Sequence, residues 1–222
     1  MVVKVGGAAA GAAAKIAALR TRGRDVVVVH GAGPQISARC RAAGIEPRFV
    51  DGLRVTDTAV LSIVQQAVEA ENTRLCAELE RESVPARPML DALAAEPWGD
   101  VTLGLVGHVT SVEQIGIRAL LASGVVPVLP PIAGGLNVNA DHAAAAVAGA
   151  LRASELVFLS DVPGVLDANG EVLRRVSATS VPGQIDAGHV TGGMIPKLDA
   201  GLAALTAGVW RVWIGAETMV TA

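Results

Sequence analysis

The segment from Asp25 to His30 reads DVVVVH, and Gly31-Ala32-Gly33-Pro34 follows without a spacer. Four successive valines with no polar alternation are the pattern of a parallel strand covered on both faces. Parallel strands need crossover connections, so this segment commits the chain to helices packed on a sheet. Pro34 can serve as the first residue of the next helix, where its missing N–H costs nothing.

The rest of the chain repeats the alternation. Met1 to Val5 predicts a strand feeding Gly6-Gly7, and Ala8 to Arg22 a helix stopped by Gly23. Phe49 to Val55 is extended or a hairpin around Asp51-Gly52. Asp57 to Glu82 predicts a long helix with Val60, Ile63, Val64 and Val68 on one face, ended by Pro85 and Pro88. Val101 to Val109 predicts a strand, Val112 to Ala122 a helix, and Val125 to Leu129 a strand closed by Pro130-Pro131. A turn-rich passage, Gly134 to Asn139, leads into an Ala-rich helix from Asp141. Leu156 to Leu159 predicts a strand, and Val162 to Gly170 a turn and hairpin. A helix from Gly192 to Gly208 and a last strand from Trp210 to Ile214 complete the set. The expected fold is α/β, a three-layer αβα sandwich with a mainly parallel central sheet. It forms one domain over 1–222, with a boundary between lobes near 133–139.

Composition narrows the function. Aromatic residues are 2% of the chain, with no Tyr, which argues against a platform for stacking bases or sugars. The net charge is -3, from 18 basic and 21 acidic residues with no cationic block, which argues against nucleic-acid or membrane-surface partners. Any anion must be held by a few cations placed locally. Cys40 and Cys76 have no metal or redox spacing, and a reduced, cytoplasmic setting is expected. His30, His108, His142 and His189 show no ligand spacing, so no protein-held metal is expected. The longest apolar stretch after the N-terminus, Ala119 to Ala133, is broken by Gly124, Pro127, Pro130 and Pro131, so no membrane span is expected.

Five passages carry candidate chemistry, all at strand ends, where open α/β sheets gather ligands. Lys4 precedes Gly6-Gly7 inside an apolar strand; it is either a cation near phosphoryl oxygens or an edge-strand lysine in solvent. Gly31-Ala32-Gly33 can offer backbone donors to an anion, or be a plain strand-to-helix turn. Ile36 stands where a dinucleotide fingerprint needs its third Gly, which weakens a dehydrogenase reading. Arg54, in GLRVTD at 52–57, can grip a carboxylate bidentately or lie solvated, while Thr56 or Asp57 caps the following helix. Asn137 and Asn139 share one side of an extended piece, and Asp141 starts a helix. Lys197, in TGGMIPK at 191–197, is a cation against the helix dipole, either acting on an anion or exposed on a surface turn.

Taken in order, VVKVGG, VVVVHGAGPQI, GLRVTD, NVNAD, SDVPGVL and TGGMIPK resemble the amino-acid kinase superfamily and, within it, the N-acetyl-L-glutamate kinases. The resemblance covers nearly the whole chain. It implies ATP-dependent phosphorylation of the γ-carboxylate of N-acetyl-L-glutamate, with Mg²⁺ carried by ATP, in a homodimer. Lys4 and Lys197 correspond to the cations on the transferred phosphoryl group, and Asp141 to the carboxylate that orients them. Gly7, Gly31, Ala32 and Gly33 correspond to backbone donors, and Arg54 and Asn137 to ligands of the acceptor α-carboxylate. Asp161, Val162, Pro163, Gly164, Val165 and Leu166, with His189, Val190 and Thr191, correspond to nucleotide contacts. The acceptor lobe is then about 1–135 and the nucleotide lobe about 136–222. Ala32 replaces the family's usual Gly, which requires a negative φ there. The segment 83–100 lacks the Gly-Asp-Gly loop of many members, and the chain stops soon after Ile214. Arginine-inhibited members carry an added N-terminal helix, so a dimer insensitive to arginine is expected. The alternatives are a kinase for aminoadipate on a carrier protein, which GLRVTD and NVNAD fit less well, and a non-catalytic regulator. Lys4, Asp141 and Lys197 together argue against the regulator.

Overall fold

In the computed structural model β1 (Val2–Val5) lies near the centre of an eight-stranded sheet, not at its edge. Residues 1–6, 11–160, 162–167, 169–186, 188, 190 and 192–221 are described. After β1 come α1 (Ala12–Thr21), β2 (Val27–His30) and α2 (Gly33–Ala42). The hairpin β3 (Phe49–Val50) and β4 (Leu53–Arg54) leads to α3 (Thr58–Arg81). Next are β5 (Ala86–Pro88), β6 (Leu93–Pro97), β7 (Val106–Val112), α4 (Gln114–Ala122) and β8 (Val126–Leu129). A short pair, β9 (Ile132–Ala133) and β10 (Leu136–Val138), feeds α5 (Ala140–Ala150). The chain continues through β11 (Glu155–Leu159), β12 (Arg175–Ser177), α6 (Val181–Asp186) and α7 (Met194–Thr206) to β13 (Arg211–Ile214) and β14 (Thr218–Thr221).

The main sheet has the order β12-β14-β13-β11-β1-β2-β8-β5 and is parallel except where β13 meets β14. Residues two apart on a strand share a face. Val3 and Val5 therefore pack under α1 and α3 with Ile16, Val28, Leu75 and Leu79. Val2 joins Val27, Leu156, Phe158 and Leu198 in the core under α5 and α7. Lys4 shares the side of Val2, and so faces α5. A second sheet, β6-β7-β10-β9, stands beside the first and sends β10 straight into α5.

The long helix begins as expected: the Asp57 carboxylate accepts from the Val60 N–H at 2.8 Å. It also ends as expected, at Arg81 with Glu82 as its C-cap, and Ser83 takes φ 61° just beyond. Pro88 then lies in β5, on the sheet edge, where a missing donor is tolerated. The expected strand at 101–109 is split into a 3-10 turn, Val101–Leu103, and β7. The reason is Gly104, at φ 71°, where a Cβ would come within 2.4 Å of the Thr56 carbonyl oxygen. Val112 belongs to β7 rather than to the following helix, which Glu113 caps through the N–H groups of Ile115 and Gly116. Trp210 to Ile214 is not the last strand, because the chain reverses at Gly215 and returns as β14.

Candidate active site

The carboxyl ends of β1 and β2 meet the N-termini of α2 and α5 around one cleft. Asn139 caps α5, its Oδ1 accepting from the N–H groups of Asp141 at 2.8 Å and His142 at 3.2 Å. That cap turns the Asp141 carboxylate toward β1. Lys4 Nζ lies 2.9 Å from Asp141 Oδ1, and Lys197 Nζ lies 3.2 Å from Asp141 Oδ2. Lys4 and Asp141 are buried, each 7% exposed. The edge-strand reading of Lys4 is therefore wrong: β1 runs between β11 and β2, an order that local sequence does not encode.

Burial works against an ionised Asp141, but Lys4 and Lys197 outweigh it and hold the carboxyl below its usual range. Lys197 is pushed below the ordinary lysine value, mainly by burial, with Asp141 opposing and Lys4 reinforcing the shift. The site thus holds two ammonium groups on one carboxylate, a net positive charge in a poorly solvated place. Such an arrangement is complementary to an added anion.

A cleft of about 230 Å³ opens beside this ion triad, lined by Lys4, Gly31, Ala32, Gly33, Arg54, Asn137 and Asp141. It is smaller than the ~300–1,000 Å³ of drug-sized sites, and so suits a small metabolite. Ala32 has φ -134°, the negative value its replacement of Gly requires. Gly31 abuts Lys4: a Cβ there would sit 3.8 Å from its Nζ. Arg54 is buried under the Phe49 ring, 4.6 Å from the centroid, and donates to the Gly33 carbonyl at 3.1 Å and Ser37 Oγ at 2.9 Å. Its Nη1 is buried with no partner among the described residues. Asn137 Nδ2 donates to Thr56 Oγ1 at 2.9 Å, and Thr56 Oγ1 donates to the Arg54 carbonyl at 2.8 Å. Arg54 and Asn137 are thereby held as one unit. The hairpin that carries Arg54 also touches the last helix: Gly52, at φ 77°, would place a Cβ 2.9 Å from Pro196 Cγ, next to Lys197.

The other candidates among the described residues lie elsewhere. Val162 and Pro163 border a separate, largely apolar cleft with Leu19, Val157 and Leu159. Gly164 packs on Thr218, whose Oγ1 accepts from the Val165 N–H at 2.8 Å, and Leu166 is exposed. Val165 and Val190 are buried in the core under α5 and α7. Gly7, Asp161, His189 and Thr191 lie outside the described residues. Sequence reasoning missed Thr56 as the bridge and Phe49 as the lid over Arg54. The scarcity of aromatic residues was the available signal for Phe49.

His30, at the end of β2, is fully buried, and Asn72 Nδ2 lies 3.1 Å from its Nε2 and donates to the Val128 carbonyl. Burial chiefly, against the pull of Glu71, lowers its pKa from 6.5 to about 4. The unfolded chain then takes up a proton that the folded one refuses between pH 6.5 and about 4. Stability is complete above pH 6.5 and falls as pH drops through that window, by roughly 3 kcal/mol at the limit. Urea unfolding at pH 7 and pH 5 is expected to show the fall, and His30→Gln to flatten it; equal slopes would contradict the assignment.

The sequence profile described as the Amino acid kinase family matches residues 1–216. The acetylglutamate kinase of Chloroflexus aurantiacus is 44% identical over 211 residues, covering 89% of this chain and 83% of that protein. The acetylglutamate kinase of Symbiobacterium thermophilum is 39% identical over 242 residues, covering 96% and 83%. Among solved structures, smu.665 from Streptococcus mutans UA159 superposes with a TM-score of 0.92 at 31% identity, over 99% of this chain and 97% of that one.

Proposed function

The chain belongs to the amino acid kinase family, and from that membership we propose that it is an acetylglutamate kinase, transferring the γ-phosphoryl group of ATP to the γ-carboxylate of N-acetyl-L-glutamate. This is the second step of arginine biosynthesis. The relatives named acetylglutamate kinase support the substrate. The observation that carries the chemistry is the buried Lys4–Asp141–Lys197 triad beside a small cleft.

A carboxylate acceptor is already ionised at pH 7, so the reaction needs no general base. The barrier lies in bringing two anions together and stabilising charge on the transferred group. Lys4 and Lys197 meet that charge, and Asp141 keeps both ammonium groups aimed. The turn amides at 31–33 and the N-terminus of α2 add partial positive charge. Arg54 and Asn137 hold the acceptor α-carboxylate, which places its γ-carboxylate in line with the phosphorus. Among the described residues no group of three His, Cys, Asp or Glu side chains is placed to hold a metal ion. Mg²⁺ would instead arrive on the ATP phosphates and would supply charge neutralisation there.

The acceptor is assigned chiefly to the lobe at about 1–135, with Asn137 reaching it from the start of the other lobe, and the nucleotide to that at about 136–222, with contacts along 161–166 and 189–191. The motif resemblance supports this division, and with it a cytoplasmic homodimer. No helix among the described residues is long and apolar enough to cross a membrane.

Arg54→Ala should raise KM for acetylglutamate about 10- to 100-fold, the worth of one charge-assisted pair. KM for ATP should change little. Arg54→Lys should recover only part of the loss, because an ammonium lacks the planar fork. Steady-state kinetics with each substrate varied decides this, and an unchanged acceptor KM would remove Arg54 from the site.

A further inference from the structure

We propose that Trp98 is a positioning residue for phosphoryl transfer, acting through His142 on the first turn of α5. The inference rests on the role assigned above to Asp141. Trp98 follows β6, and its N–H donates to the Val106 carbonyl at 2.9 Å, which ties its backbone to the start of β7. Its indole lies parallel to the His142 ring, with centroids 5.7 Å apart and planes 8° apart. The ring of His108, on β7, meets the same indole edge-on at 6.2 Å. These spacings are those of offset-stacked and T-shaped aromatic pairs.

Helix α5 explains why such a contact matters. Its sequence, ADHAAAAVAGA, offers only Asp141, His142 and Val147 as side chains larger than Ala. Alanines let α5 pack closely on its neighbours, so only Asp141 and His142 reach out from its first turn. Asp141 faces β1 and α7, where Lys4 and Lys197 hold it. Asn139 satisfies the turn from within. On the side of the second sheet, His142 is the large side chain of that turn, and Trp98 reaches it. Trp98 is also 37% exposed in a chain with three Trp, two Phe and no Tyr, so it is not core filler. The stack therefore supplies a third support for the turn that aims Asp141 at the two lysines. It couples the sheet holding Asn137 to the helix holding Asp141, and small displacements of such groups are costly to rate.

The test is a double-mutant cycle on the full chain. Trp98→Ala should lower kcat about 10-fold or more while both KM values stay within about twofold, since the substrates' own contacts are intact. Trp98→Phe should restore most of the rate. His142→Ala should give a similar loss, and the double variant should be no worse than either single. Amide exchange at Asp141 and His142 should accelerate in Trp98→Ala, a readout independent of turnover. Strictly additive losses, no rescue by Phe, or wild-type kcat in Trp98→Ala would overturn the proposal. An inactive wild type would overturn the functional reading instead, and the exchange rates at Asp141 and His142 would still decide whether Trp98 holds this turn.

Discussion

Asp141→Asn is expected to lower turnover at least about 10³-fold and to destabilise the fold by about 3 kcal/mol or more. The carboxylate is 7% exposed and lies between two ammonium groups. An amide of the same shape leaves those cations facing each other in a poorly solvated place, the situation in which breaking a buried pair costs most. The effect on Lys197 has a definite sign. Burial already lowers its pKa and Asp141 opposes that shift. Without Asp141 the value falls further, so residual activity of the variant should rise as pH is lowered and Lys197 regains its proton. The acid limb has a sign as well. The Asp141 carboxyl titrates below 3.8 in the folded protein, so its contribution is whole above that value and is lost as pH falls through the lower, folded one. The variant should lack that loss. Urea unfolding from pH 2 to 9 and steady-state rates from pH 4 to 9 would show all of this, whereas a variant as stable and active as wild type would mean that Asp141 does not hold the lysines.

Lys197→Ala should cost about 10²–10³-fold in kcat, equivalent to about 2–4 kcal/mol, as for removal of one donor from an oxyanion site. Stability should change far less than in Asp141→Asn, because Asp141 keeps Lys4 as a partner at 2.9 Å. KM for acetylglutamate should hold, since Arg54 and Asn137 are untouched. Lys197→Arg should not rescue the rate: a planar guanidinium is larger and presents its donors in a different geometry. A loss confined to KM would place Lys197 in ground-state binding rather than in stabilising the transferred group.

The parts of this architecture readable in advance are those written in local chemistry. DVVVVH announced a buried parallel strand, Asp57 a helix cap, and Asp51-Gly52 a tight reversal, because each signal sits inside the element it specifies. Strand order is written nowhere locally, which is why Lys4 could be read as an edge residue until β1 was found between β11 and β2. Short strands such as β6, β10 and β14 were missed because their pairing, rather than their own sequence, makes them strands. At the site, the charged residues stood out by type, but Thr56 could be weighed only as a cap. Its bridging role depends on Asn137, 81 positions away, arriving at 2.9 Å. The stacks of Phe49 on Arg54 and Trp98 on His142 are likewise long-range facts that motif spacing does not carry.

The central claim is tested most directly by incubating the purified protein with MgATP and N-acetyl-L-glutamate in the presence of hydroxylamine, which converts an acyl phosphate into a coloured hydroxamate. Hydroxamate should form in step with ADP, depend on both substrates, and vanish from Lys197→Ala measured alongside. Wild-type protein that is folded and binds ATP, yet yields no hydroxamate from N-acetyl-L-glutamate, would contradict the account.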